Sequence, residues 1–169
     1  MDSTTRLLSI AVAGLLGAVL TAFVLSPAPP AAPGRDHDAA RQMYALVDDA
    51  RARHDLPPLQ PADDIADVAA DWSARMAADR ALEHNPAHPE QICCWRAVAE
   101  NVAWSDPPRT RLHRDPVQRV VEELHHALLD SPSHRENLLS DEVDEIGIGV
   151  HVDGDGAVWI TQNFRASAR

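Results

Sequence analysis

Nine histidines and 26 carboxylates in 169 residues set the range of chemistry open to this chain. Imidazole nitrogen and carboxylate oxygen suit proton sharing, or the binding of zinc or a harder divalent cation. No compact metal motif of the HExxH kind occurs. His84-Asn85-Pro86-Ala87-His88 places two histidines four residues apart, but Pro86 breaks helical geometry, so the spacing does not force both rings onto one face. His125 and His126 are adjacent on an apolar-striped segment, which predicts one ring turned outward and one partly inward. Ser131 and Ser133 lie near His134, an arrangement that invites a serine nucleophile. A nucleophile also needs an oriented base and oxyanion donors, and Ser131 in front of Pro132 reads more simply as a helix stop. Asn101 and Asn137 each follow a glutamate, and both read as bridges to backbone groups at irregular junctions.

Cys93 and Cys94 are the only cysteines. Neither has a distant partner in the chain, which leaves three states open: a strained vicinal disulfide, bridges between chains, or free thiols. A bond between neighbours closes a minimal loop and so adds little as a staple. The domain must therefore rest on its core. Hydrophobic residues make up 45% of the chain, enough to build one. Trp72 and Trp159 are expected inside it, while Trp95 and Trp104 sit in loop-proximal segments where they could rim a cleft.

These side chains must be positioned by the elements around them. Residues 36–54 read as a helix, with Met43, Leu46, Val47 and Ala50 at helical spacing. Leu56-Pro57-Pro58-Leu59 ends it, and Pro61 suits the first position of a second helix whose stripe is Ile65, Val68, Ala69, Trp72 and Met76. Pro86 and Pro89 interrupt residues 82–95, and residues 97–104 predict a short strand. A loop over 105–115 leads into a third helix at 116–130, with a brief helical turn around 135–139. Ile146, Ile148 and Val150 alternate with Gly147 and Gly149, and Asp153-Gly154-Asp155-Gly156 is strong turn chemistry for a hairpin returning to about Phe164. The two glycines let another backbone approach that strand closely. The sum is an α+β domain, helices on a small, mainly antiparallel sheet.

The net charge is −11, and residues 36–169 carry −12 of it. Such a surface repels phosphate backbones, which excludes nucleic acid as a partner and disfavours anionic lipid headgroups. Leu7 to Leu25 is uncharged and, as a helix, would span about 28 Å, close to a bilayer's apolar thickness. It reads as a signal peptide or signal-anchor helix (1–25), which if uncleaved would hold the chain to the membrane. Arg6 before it favours export of the rest of the chain. A Pro/Ala-rich linker (26–39), the main domain (40–165) and a short tail (166–169) complete the organisation.

Several segments, in order, resemble bacterial members of the CAP superfamily, also called SCP-like domains. They are Arg53-His54-Asp55-Leu56-Pro57-Pro58-Leu59, Ala70-Asp71-Trp72-Ser73, Glu83-His84-Asn85, Ala99-Glu100-Asn101-Val102-Ala103, Ser131-Pro132-Ser133-His134-Arg135-Glu136-Asn137-Leu138-Leu139, Ile146-Gly147-Ile148-Gly149-Val150 and Trp159-Ile160-Thr161-Gln162-Asn163-Phe164. The resemblance implies an α-β-α sandwich with a concave cleft. It also implies that His84, Glu100 and His134 line that cleft and can hold a divalent cation, zinc or magnesium. The family's second acidic residue falls near Ser131, with Glu122 or Glu123 as substitutes on the same helix. A structural alternative is a histidine–carboxylate hydrogen bond tying helix, strand and loop together. The function implied is a secreted or membrane-anchored binding module at the cell surface, rather than an enzyme. Its ligand would be a small apolar or lipid-like molecule, a cell-envelope component or a surface protein. The alternative is a cation-dependent, peptidase-like hydrolase of the envelope.

Overall fold

The computed structural model describes residues 33–107 and 116–168. Among the described residues, five helices and four strands run in the order α1 (Pro33–Ala52), β1 (Gln60–Pro61), α2 (Asp63–Asp79), α3 (His88–Gln91), β2 (Trp95–Ser105), α4 (Pro116–Asp130), α5 (Pro132–Leu138), β3 (Glu145–Val152) and β4 (Val158–Ser167). The strands form one sheet in the order β1-β3-β4-β2, antiparallel except for the β1–β3 pair. The apolar run from Leu7 to Leu25 lies outside the described residues. Among the described residues no helix is long and apolar enough to cross a membrane.

Alternation along the strands sorts the side chains into two layers. Ile146, Ile148, Val150 and Val152 on β3, with Ile160 and Phe164 on β4, pack against Met43 and Val47 of α1 and Val121 and Leu124 of α4. The opposite face carries Val102 and Trp159, which meet Trp72 and Met76 of α2. Gly147 and Gly149 point the same way, and α2 fills the space their side chains would need: a Cβ on Gly149 would lie 2.1 Å from Ala69 C and from Ala70 N. Ser73 locks this contact, donating to the Gly149 carbonyl (3.0 Å) and lying 2.9 Å from Thr161 Oγ1. The expected sandwich is thus formed, with α2 on one side of the sheet and α1 and α4 on the other.

Three boundaries differ from the sequence reading. Pro61 lies in β1 rather than at the head of a helix; it pairs in parallel with Ile146, and α2 starts two residues later. A proline has no N–H to give, yet Pro61 fits here because the pair needs only Gln60 N–H on Asp144 and Ala62 N–H on Ile146. α1 begins at Pro33, inside the stretch read as linker. β4 runs on to Ser167 because Arg165, Ala166 and Ser167 continue the ladder with β2. The loop read over 105–115 lies mostly outside the described residues.

His125 on α4 is 2% exposed, and its Nδ1 has no hydrogen-bond partner. Burial, reinforced by His126 and Arg53, lowers its pKa to about 4, with Asp49 acting the other way. The unfolded chain therefore binds the extra proton first as pH falls. Stability contributed by the neutral ring is complete above about pH 6.5 and is lost on descending toward pH 4, by about 3 kcal/mol. His125→Leu should flatten that part of the stability–pH curve in urea melts. An unchanged slope would show that the ring is not sealed in the core.

Candidate functional site

β2 is the edge strand of the sheet beyond β4, and it carries Glu100 at its centre, opposite Asn163. By alternation Glu100 shares the α2 face with Val102, while Asn101 shares the other face with Ala103. The carboxylate is held by the loop after α2. Its Oε1 lies 2.8 Å from His84 Nδ1 and accepts the Asn85 backbone N–H at 2.9 Å. When that carboxylate is ionised it can only accept, and His84 Nδ1 is then the donor. Glu100 is nearly sealed, with 5% of its side chain exposed, whereas that of His84 is 62% exposed. Glu100 Oε2 is buried and has no partner.

His134 comes from the other side of β2. Its backbone carbonyl accepts Asn101 Nδ2 (3.1 Å), and Asn101 Oδ1 accepts Asn137 Nδ2 (2.8 Å). The two asparagines thus clamp α5 to the sheet, the bridging role their positions suggested. Burial, and then the charge of His84, lowers the His134 pKa. His134 Nδ1 lies 2.9 Å from Ser131 Oγ. Ser131 and His134 are three residues apart at the head of α5, so this contact is local geometry. Ser131 stays a helix-boundary residue, as its place before Pro132 suggested.

The cation implied for this cleft meets a donor set that is only partly assembled. His84 and Glu100 are paired, His134 is turned to Ser131, and Glu122 and Glu123 face elsewhere. Glu122 accepts from Gln42 of α1 (3.3 Å), and Glu123 pairs with Arg119 (2.8 Å). Among the described residues no group of three or more His, Cys, Asp or Glu is set to hold a metal ion. As placed, His84 Nδ1 is engaged by Glu100 and His134 Nδ1 by Ser131.

His88 is the residue that sequence reasoning missed. Asn85 builds a tight turn, accepting Ala87 N–H on its side chain (3.0 Å) and His88 N–H on its carbonyl (3.1 Å). That turn carries His88 back into the protein, 5% exposed, with Nε2 buried and unpartnered. Burial lowers its pKa, Glu100 opposes this, and the charge of His84 adds to it. The signal was present in the His84-x-x-x-His88 spacing, but Pro86 argued against a shared helical face. The chain reaches the same neighbourhood by a turn.

Beside this cluster lies a cavity of about 500 Å³ lined by Val68, Asp71, Trp72, Arg75, Asn85 and Gln91. It adjoins the site through Asn85, whose side chain bonds Gln91 (2.8 Å) while its N–H holds Glu100. Trp72 is mostly core, with its indole N–H on the Glu83 carbonyl, and Arg75 stacks 5.8 Å above its ring. Trp159 is also core, as expected. Trp95 and Trp104 are each about two-fifths exposed and occupy opposite ends of β2, so they do not rim one cleft together.

The profile of the Cysteine-rich secretory protein family matches residues 44–164. No curated protein sequence matches the chain significantly. Among solved structures, an outer surface protein of Borrelia burgdorferi is similar over 77% of this chain and 93% of its own, at 18% identity and a TM-score of 0.63. An extracellular SCP-domain protein from Bacillus anthracis is 26% identical over 81% of this chain and 44% of its own, with a TM-score of 0.61. A cysteine-rich secretory protein from Staphylococcus aureus is 20% identical over 80% of this chain and 41% of its own, also at 0.61. The chain spans less than half the length of the Bacillus and Staphylococcus proteins.

Proposed function

This chain belongs to the cysteine-rich secretory protein (CAP) family, and we propose that it is an extracytoplasmic binding module whose ligand is a polar, hydroxyl-rich component of the cell envelope. The observation that carries this reading is Glu100: a buried carboxylate with one oxygen fully engaged and the other, Oε2, without a donor. A buried charged acceptor left unpaired is costly, and a ligand hydroxyl or amide N–H removes that cost. The adjoining cavity supports a polar ligand over a lipid. Asp71, Arg75, Asn85 and Gln91 supply donors and acceptors, and Trp72 an aromatic edge. The exposed His84 beside Glu100 argues against a closed scaffold cluster. His134 lines the far side of the edge strand in the same reading. The apolar run from Leu7 to Leu25 supplies export, whether it is cleaved or kept as an anchor. The Borrelia neighbour is a surface protein and the Bacillus neighbour an extracellular one, which supports the same location.

In its own host the chain is expected in the envelope fraction and open to added protease. Purified full-length protein is expected to sediment with isolated peptidoglycan sacculi. Glu100→Gln keeps an acceptor for Asn85 but removes the charge, so binding should weaken roughly tenfold or more with the melting temperature little changed. Equal sedimentation of wild type and variant, or a cytosolic location, would sink the proposal.

A further inference from the structure

We propose that Cys93 and Cys94 form a thiol–disulfide exchange site that reacts with low-molecular-weight disulfides and closes to a vicinal disulfide. Both side chains are exposed, and their sulfurs face each other at 2.6 Å. Neither thiol is packed in the core, so burial does not explain why cysteine stands at these positions.

The backbone makes the same point. Cys94 has φ of 64°, in the left-handed region. Among the described residues only Asp55 and Arg80 share that conformation without being glycine. Arg80 does so as the C-cap of α2, a common use, and Asp is among the residue types that tolerate it. A cysteine there is strained, and its side chain is exposed rather than buried in the core.

The strained turn is also fixed in place. The Cys94 carbonyl accepts Ala168 N–H at 2.7 Å, and the Cys93 carbonyl accepts Arg165 Nη1 at 3.3 Å. Arg165 is itself clamped between Asp64 and Glu145. The next residue, Trp95, donates its indole N–H to the Pro89 carbonyl (3.1 Å), and the register shift between Trp95 and Ala97 lets the ladder resume beyond the turn. The two sulfurs are thus held together by a pinned frame, which favours ring closure over capture of a second chain.

The spacing decides what kind of bond results. Among the described residues no peptide bond is cis, so the Cα atoms of Cys93 and Cys94 lie about 3.8 Å apart, below the range of about 4.4–6.8 Å that relaxed disulfides span. The bond is therefore strained and readily reduced, as in labile disulfides rather than structural ones. The reaction balances in two steps. One cysteine thiolate attacks a sulfur of the small disulfide RSSR, forming a mixed disulfide and expelling RS⁻, which leaves as RSH after taking up the proton. The second cysteine then attacks the protein sulfur of that mixed disulfide, forms the Cys93–Cys94 bond and releases the second RSH. The protein loses two protons and two electrons, and RSSR gains them.

Oxidised glutathione, added without air to the reduced full-length chain, tests this. The thiol titre should fall from two per chain to none, and the intact mass should drop by two hydrogens. Tandem mass spectrometry should place the bond between Cys93 and Cys94 within one peptide. Dithiothreitol should restore both thiols. In Cys93→Ser and in Cys94→Ser the glutathione should remain attached as a stable adduct. A stable adduct on the wild type, disulfide-linked dimers on a non-reducing gel, or an unchanged thiol titre would each overturn the proposal.

Discussion

Gly149→Ala should cost the domain about 3 kcal/mol or more, the upper end of what overpacking does in well-packed cores. The added methyl would sit 2.1 Å from Ala69 C and Ala70 N and 2.3 Å from Ala69 O. These are backbone atoms of α2, so no side-chain rotation relieves the clash, and the helix must lift from the sheet. Lifting it also stretches the Ser73 bonds to Gly149 and Thr161. Gly147→Ala should act in the same direction, since its methyl would meet Ala66 N at 2.3 Å. Gly34 is the control: a methyl there meets nothing within 4 Å, and Gly34→Ala should be neutral or slightly stabilising. Urea melts of the three variants give the comparison. A Gly149→Ala protein that melts within about 1 kcal/mol of wild type would mean that α2 does not ride on the glycine track. Because His84 and Asn85 hang from the end of α2, the same variant should also loosen the hold on Glu100.

That contact shows how far the sequence could be read. The alternation of Ile146, Ile148 and Val150 with Gly147 and Gly149 signalled a strand that another backbone approaches. The stripe Ile65–Ala69–Trp72–Met76 signalled a helix with one apolar face. Both are local patterns with a fixed period, and the structure joins them. β1 left no such trace. Two residues, one of them a proline, have no period, and their pairing with β3 depends on partners some 85 positions further along. The candidate site divides in the same way. Family resemblance brought His84 and Glu100 forward, and the structure pairs them. His88 stayed out of reach because its position depends on a side-chain turn at Asn85, which no spacing rule encodes.

Arg51 is the other residue whose role no pattern announced, and Arg51→Met is expected to be about as damaging as the glycine change. In the sequence it sits among Asp48, Asp49 and Arg53, like any solvated charge on a helix. In the structure it is 1% exposed. Its Nε donates to the Pro57 carbonyl at 2.9 Å, and Nη1 donates to Leu138 at 2.9 Å and Ser140 at 2.8 Å. One guanidinium thus ties the end of α1 to the turn beyond it and to the end of α5. Burial lowers its pKa, although Asp48 and Asp141 act against this, and the group remains charged at any ordinary pH. Methionine fills much of the space but leaves three carbonyls without their charged donor, which predicts a loss of about 3–5 kcal/mol. Lysine should not rescue it, because a single ammonium cannot reproduce the planar fork that reaches carbonyls on two sides. The damage should be local before it is global. Asn101 still holds α5 through the His134 carbonyl and Asn137, so the C-terminal turn of α5 should open first. Hydrogen exchange on Arg51→Met should therefore show faster amides around Leu138–Ser140 while the β3–β4 ladder keeps its protection. A variant with wild-type melting and unchanged exchange at those amides would show that the three carbonyls find other donors, and that the buried arginine is not what joins the two helices.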